Sequence, residues 1–223
     1  MTIPAAARRV KVAPSLLACD FSRLAFEVGR AEDAGADLLH FDVMDGHFVP
    51  NLTIGPALVE SLRPRTRMFF DVHLMLANPD AFLESFAKAG ADGLTVHVEA
   101  CPEPDAILDR IGAMGLVRGL SLNPDVPVQR LRGRLSRVDR LLVMTVFAGF
   151  GGQKFVEGSL DRIRDARALL DAEAPDGADL QVDGGVTAEN APDIRAAGAD
   201  NLVAGTSTFR APDMAAAIRA IRG

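Results

Sequence analysis

The sequence predicts a single-domain (β/α)8 TIM barrel over residues 1–223. Three observations lead there. The tetrapeptide Ala-Gly-Ala-Asp occurs three times, at Ala34–Asp37, Ala89–Asp92 and Ala197–Asp200, each time between a stretch of helical periodicity and a short apolar run. Its glycine is placed to turn left-handed just past a helix C-terminus, so each repeat reads as a helix end and a strand start. The runs that follow (LLHFDV, GLTVHV, NLVAG) are short and mostly apolar, and fit strands covered on both faces of a parallel sheet. Finally, about eight such units fit a chain of 223 residues with no break in composition, the size of a (β/α)8 barrel. An open doubly wound sheet is the alternative, and the lack of a G-x-G-x-x-G after the first strand counts against it.

The elements follow in order. A strand over Lys11–Leu16 leads to a helix over Phe21–Ala34, closed by the first repeat, and LLHFDV is the second strand. A helix over Gly55–Leu62 precedes the strand Met68–His73; a helix over Asp80–Ala89, closed by the second repeat, precedes GLTVHV. Helix Glu103–Met114, strand Val117–Leu122, helix Val126–Leu135 and strand Arg140–Val146 come next. Helix Gly158–Ala172 is followed by a Pro-, Gly- and Asp-rich loop at Ala174–Ala178, then strand Asp179–Asp183. Helix Ala188–Ala197 ends in the third repeat, NLVAG is the eighth strand, and Pro212–Arg222 is a terminal helix.

Hydrophobic residues make up 48% of the chain, enough for a sizeable core, and 24% charged residues give an ordinary soluble surface. A net charge of −6, with no run of Lys and Arg interleaved with aromatics, argues against nucleic acid. It also means that an anionic substrate must be held by local groups against the overall field. Cys19 and Cys101 have no metal-ligand spacing between them and suit a reducing compartment. The opening MTIPAAARRVKV lacks the apolar run of a signal peptide, and no stretch reaches the ~20 apolar residues of a membrane span. The expectation is a cytoplasmic protein with no membrane partner. Trp and Tyr are absent, which removes the usual stacking platforms for bases or flat cofactors.

The C-terminal ends of barrel strands carry the chemistry of this fold. His40 and Asp42, two residues apart, point to one side of the second strand; His73 ends the third and Asp183 the seventh. A lone histidine here would more often be a hydrogen-bonded core residue. Two imidazoles and two carboxylates converging on one mouth instead suit one divalent ion of the Zn, Mn, Fe or Co type. Of the remaining histidines, His47 falls in a loop and His97 on the fourth strand, either of them supporting or structural. Asp71 shares a face with His73 one layer deeper and reads as a buried hydrogen-bonding group. Glycine supplies the second signal. Gly149–Phe155 (with Gly149, Gly151 and Gly152), Asp183–Val186 (with Gly184 and Gly185) and Ala204–Phe209 (with Gly205 and Thr206) follow strands six, seven and eight. Backbone N–H groups in such loops hold phosphate without lysines. Met44, Met75 and Met144 would line the site with soft apolar surface that keeps water from a reactive intermediate.

The segments APSLLACDFSRL, HFDVMDGHFVPNLTIGP, DVHLM, AGADGLTVHVEA, LNP, GFGGQKF, VDGGV and AGADNLVAGTSTF occur in an order that resembles the ribulose-phosphate 3-epimerase family, from Lys11 to the C-terminus. DVMDGHFVPN and VDGG are the most specific of them. The resemblance implies a (β/α)8 barrel interconverting D-ribulose 5-phosphate and D-xylulose 5-phosphate, with one zinc or other divalent ion per subunit. It implies that His40, Asp42, His73 and Asp183 ligate the metal and that Asp42 and Asp183 are the paired acid and base. Ser15 falls on a position contacting substrate near the metal; Gly151, Gly152, Gly184, Gly185, Gly205 and Thr206 fall on the phosphate loops. Homo-oligomers, dimers or hexamers, are usual in the family. Phe147-Ala148 stands where members usually read Asn-Pro, and Thr206 where Ser is commoner. Losing the Pro is expected to loosen the loop after strand six and to bear on substrate choice. Allulose 6-phosphate is accordingly the alternative substrate. Two other classes are a non-catalytic sugar-phosphate sensor and a metal-free barrel isomerase or lyase of tryptophan or thiamine synthesis.

Overall fold

The computed structural model describes residues 9–223, so most of the segment read as lacking a signal peptide lies outside the described residues. Eight parallel strands form one sheet: β1 (Lys11–Pro14), β2 (Leu38–Met44), β3 (Phe69–Met75), β4 (Gly93–His97), β5 (Val117–Leu122), β6 (Arg140–Met144), β7 (Asp179–Asp183) and β8 (Asn201–Ala204). From β2 to β8 each strand pairs with the next in sequence, and β8 pairs with β1. Between β1 and β2 the circle is completed by a single bridge, Ser15 to His40, and by the Asp37 N–H donating to the Val12 carbonyl at 3.1 Å. The result is the predicted single-domain (β/α)8 barrel.

Helices α1 (Leu24–Asp33), α2 (Pro56–Leu62), α3 (Leu83–Ala89), α4 (Pro104–Ala113), α5 (Ser159–Glu173), α6 (Ala191–Ala196), α7 (Thr206–Phe209) and α8 (Met214–Arg222) surround the strands. The helix expected over Val126–Leu135 is only a 3₁₀ turn, Val128–Leu131. Pro127 precedes it, Arg132 leaves it with ψ 129°, and Gly133 turns left-handed at φ 74°, so no second turn can form. Beyond β8 the expected terminal helix forms as α8, preceded by the short α7. Alternate strand residues face outward: Leu39, Phe41 and Val43 of β2 and Phe70, Val72 and Leu74 of β3 pack in one buried cluster with Val28, Val59, Leu83 and Phe86 of the helices.

The Ala-Gly-Ala-Asp repeats have a structural meaning. Their glycines, Gly35, Gly90 and Gly198, all have positive φ (81°, 99° and 111°). Their aspartates clasp the preceding strand of the barrel twice. Asp37 donates its N–H to the carbonyl of Val12 and its Oδ2 accepts the N–H of that same residue at 2.9 Å. Asp92 does the same to Phe70, with the carboxylate bond at 2.7 Å, and Asp200 to Leu180, at 2.8 Å. Asp139, outside any repeat, clasps Arg118 identically.

Inside the barrel the fully buried Asp71 ties four strands together. Its Oδ1 accepts from Arg140 Nη1 of β6 at 2.5 Å; its Oδ2 accepts from Gln181 Nε2 of β7 at 2.7 Å and lies 2.8 Å from His40 Nδ1 of β2. Burial would raise the Asp71 carboxyl, but the Arg140 charge and His40 outweigh it and hold it well below the usual carboxylate range. Arg140 also reaches Asp179, which in turn pairs with Lys11 of β1. Removing one partner of a buried ion pair strands the other. Asp71→Ala should therefore lower stability by about 3–5 kcal/mol, read as a lower urea midpoint at unchanged slope; a shift well under 1 kcal/mol would show that Arg140 finds a new partner.

Candidate active site and metal centre

The register of β2 against β3 sets His40 opposite Asp71, Asp42 opposite His73, and Met44 opposite Met75; between β6 and β7, Met144 lies opposite Asp183. Inward-facing residues are thus stacked in layers: a structural carboxylate below, imidazoles and carboxylates in the middle, methionines towards the mouth. One donor atom from each of His40, Asp42, His73 and Asp183 lies within 4.8 Å of all the others. His40 Nε2 is 3.4 Å from Asp42 Oδ1 and 3.9 Å from Asp183 Oδ2; His73 Nδ1 is 3.3 Å and 3.9 Å from the same two atoms. Separations of this size are what an ion with bonds near 2 Å bridges.

The cluster fits a cation on two further grounds. His40 Nε2 is buried without a hydrogen-bond partner, and its other nitrogen, held by Asp71, fixes the ring with that lone pair turned to the carboxylates. The electrostatics also ask for positive charge. Burial would keep His40 neutral, but Asp42 and Asp71 outweigh it and raise the imidazole well above its ordinary value, so without a metal a proton takes the place of the cation. A His2Asp2 set is able to hold a divalent ion; these donors do not choose among Zn, Mn, Fe and Co.

The two carboxylates are driven apart. Both resist ionisation through burial. For Asp42 the charge and hydrogen bonds of His40 and His73 overcome it and hold the group well below the usual range, with Ser15 Oγ donating to its Oδ2 at 2.5 Å. For Asp183 burial wins, reinforced by the neighbouring charge of Asp42, and the group is pushed up to about 7. His73 is lowered by burial, and His97 is pushed down to about 4 for the same reason.

Above the cluster lies a cavity of about 470 Å³ lined by Ser15, Asp42, Met44, Met75, Met144, Asp183 and the three glycine loops, including Gly149, Gly151, Gly152, Gly184, Gly185, Gly205 and Thr206. His40 and His73 are fully buried beneath it. Gly184 (φ 123°) and Gly185 (φ 66°) admit no side chain: a Cβ would sit 2.6 Å from Val146 Cγ2 at the first and 2.5 Å from the Phe155 nitrogen at the second. Backbone therefore packs on backbone where the loops after β6 and β7 meet.

A model of the ribulose-phosphate 3 epimerase family matches residues 11–209. The chain belongs to the ribulose-phosphate 3-epimerase family. It is 47% identical to a ribulose-phosphate 3-epimerase of Bacillus subtilis over 96% of this chain and 99% of that protein. A ribulose-phosphate 3-epimerase of Synechocystis is 45% identical over 96% of this chain and 94% of that one. Among solved structures, the KGPDC of Streptococcus mutans superposes with a TM-score of 0.71 at 17% identity, covering 96% of each chain, a likeness of fold alone. Like its named relatives in this family, the chain is an isomerase.

Side chains hold the loop after β6: Ala148 N–H donates to Asn123 Oδ1 at 3.1 Å, Asn51 Nδ2 to the Gly149 carbonyl at 2.7 Å, and Gln153 Nε2 to the carbonyls of Phe147 and Phe150. Phe147 and Phe150 are about half exposed. Sequence reasoning missed Asn51, Asn123 and Gln153, and nothing in their spacing marks them. It also missed what His97 and Glu99 touch, although His-x-Glu at a strand end was a signal. His97 Nε2 is 2.8 Å from His73 Nε2. His47 lies away from the cluster on the exposed β2–α2 loop, its Nδ1 at 2.9 Å from the Asp45 carbonyl.

The raised Asp183 carboxyl makes metal-free stability depend on pH. A group lifted from 3.8 to about 7 contributes fully below pH 3.8 and loses that contribution as pH rises through about 7. In metal-depleted protein, Asp183→Asn should therefore gain in Tm over wild type as pH goes from 5 to 8, and thermal scans across that range read it. A constant difference would contradict the assignment.

Proposed function

We propose that the protein is a metal-dependent epimerase interconverting D-ribulose 5-phosphate and D-xylulose 5-phosphate. The observation that carries this reading is a pair of carboxylates in one cation-binding cluster with opposite tendencies to hold a proton: Asp42 depressed, Asp183 raised to about 7. Epimerisation at C3 removes a proton alpha to the C2 carbonyl and returns one to the other face. A single base on one face would restore the starting sugar, so one carboxylate must start ionised and the other protonated. Asp42 takes the first role, its other oxygen oriented by Ser15, and Asp183 the second; in the reverse direction they exchange. A bound divalent ion, zinc in the first place, would supply Lewis-acid polarisation of the C2 carbonyl. Met44, Met75 and Met144 exclude water from the reacting carbons. Gly184, Gly185, Gly205 and Thr206, with Gly151 and Gly152 from the loop after β6, present backbone to the phosphate. No nicotinamide or flavin is needed. The reading places the activity in the pentose phosphate pathway of the cytoplasm, and a homo-oligomer is in keeping with the family.

A second substrate is favoured by one observation. Phe147 and Phe150 put apolar surface at the cavity mouth, on the loop where the family's usual Asn-Pro is missing. Their contact would change how a longer ketose phosphate sits, and allulose 6-phosphate is the candidate.

In heavy water, purified protein should place deuterium at C3 of ribulose 5-phosphate and yield xylulose 5-phosphate. EDTA should abolish turnover and zinc restore it, while Asp183→Asn should cost roughly a hundredfold or more with the fold intact. Running pentulose and hexulose phosphates side by side decides between the two substrates; zinc-loaded protein inert on both would end the proposal.

A further inference from the structure

We propose that His97 and Glu99 are positioning residues that set the tautomer of His73 and thereby hold its Nδ1 lone pair ready for a cation. The proposal rests on reading His40, Asp42, His73 and Asp183 as a cation site, and on nothing about the sugar. Two ring nitrogens, His73 Nε2 and His97 Nε2, face each other at 2.8 Å, so between two neutral rings one donates and the other accepts. If His73 donates, its Nδ1 carries a lone pair towards Asp42 and Asp183, the state a metal ligand requires. If His97 donates, His73 carries its proton on Nδ1, blocking ligation.

Two carboxylates pull on this choice in opposite directions. Asp42 Oδ1, 3.3 Å from His73 Nδ1, favours a proton there when no cation is bound. Glu99 opposes it through His97. Glu99 Oε2 lies 3.5 Å from His97 Nδ1, and neither atom has a hydrogen-bond partner, while both are shielded from water. The ring of Phe48 lies 4.7 Å from that of His97, which is fully buried. A bare Nδ1 lone pair against a carboxylate in such a place is costly, so His97 keeps its proton on Nδ1, accepts at Nε2, and obliges His73 to donate. Glu99 is itself fixed, its Oε1 accepting the backbone N–H of Asn123 at 2.8 Å. Each ligating imidazole is thus backed by a carboxylate: His40 directly by Asp71, His73 by Glu99 through one intervening ring.

The test uses Glu99→Gln, which keeps an acceptor for Asn123 but turns an amide N–H towards His97 Nδ1. With ¹⁵N-labelled histidine, the metal-free wild type should show the His97 proton on Nδ1 and the His73 proton on Nε2, and the variant should show both reversed. Chelator competition should find zinc bound about ten- to a hundredfold more weakly by the variant. A wild type with the His97 proton on Nε2 overturns the proposal even if the variant fails to fold. Unchanged tautomers and zinc affinity in a folded variant overturn it as well. The expected tautomers in a wild type that binds no zinc would support the relay and sink the cation site instead.

Discussion

One buried carboxylate, Asp71, decides what the rest of this barrel can do. It lies in the layer beneath the cluster of Asp42, His73 and Asp183, and its two oxygens serve Arg140, Gln181 and His40 at once. A charge with no exposure survives only when paired and hydrogen-bonded. Satisfying Asp71 therefore dictates that β2, β3, β6 and β7 keep their present stagger. The same stagger sets Asp42 opposite His73 and Met144 opposite Asp183. Arg140 and Asp179 continue the pairing downward to Lys11. The floor is stiff and polar; the chemistry stands on it.

Electrostatics then divide the labour among like groups. Asp42 and Asp183 are the same residue type within one cluster, yet one sits among imidazoles and a serine hydroxyl while the other has burial and a negative neighbour. The two histidines differ likewise. His40 is gripped by a carboxylate on each side, whereas His73 touches a second ring. Placement on different strands creates these differences, because each strand brings a different second neighbour. Nothing in the side chains themselves would.

Much of this was legible in the sequence because periodic signals are local. The Ala-Gly-Ala-Asp repeats marked three helix ends, and residues two apart in LLHFDV marked one inward face. The helix over Val126–Leu135 failed because Pro127 and Gly133 bound the segment more tightly than its apolar spacing suggested. Asp71 was recognised as a buried structural group, but its partner Arg140 lies 69 positions away and no pattern links them. For His97 the sequence does not separate a supporting from a structural role for the same reason: the atom it meets, His73 Nε2, belongs to another strand. Asn51, Asn123 and Gln153 hold the β6 loop through backbone atoms, which the sequence does not distinguish from any others.

The acidity of the chain, −6 overall, looks ill suited to a phosphorylated substrate. On the proposed reading the conflict is resolved by distance. Negative charge at the site is confined to the bottom of the cavity, where Asp42, Asp71 and Asp183 attract a divalent ion or, without one, a proton on His40. The glycine loops rim the same cavity and present backbone instead of carboxylates. On that reading a ketose phosphate puts its carbonyl over the first region and its phosphate in the second, so each end meets the charge it needs.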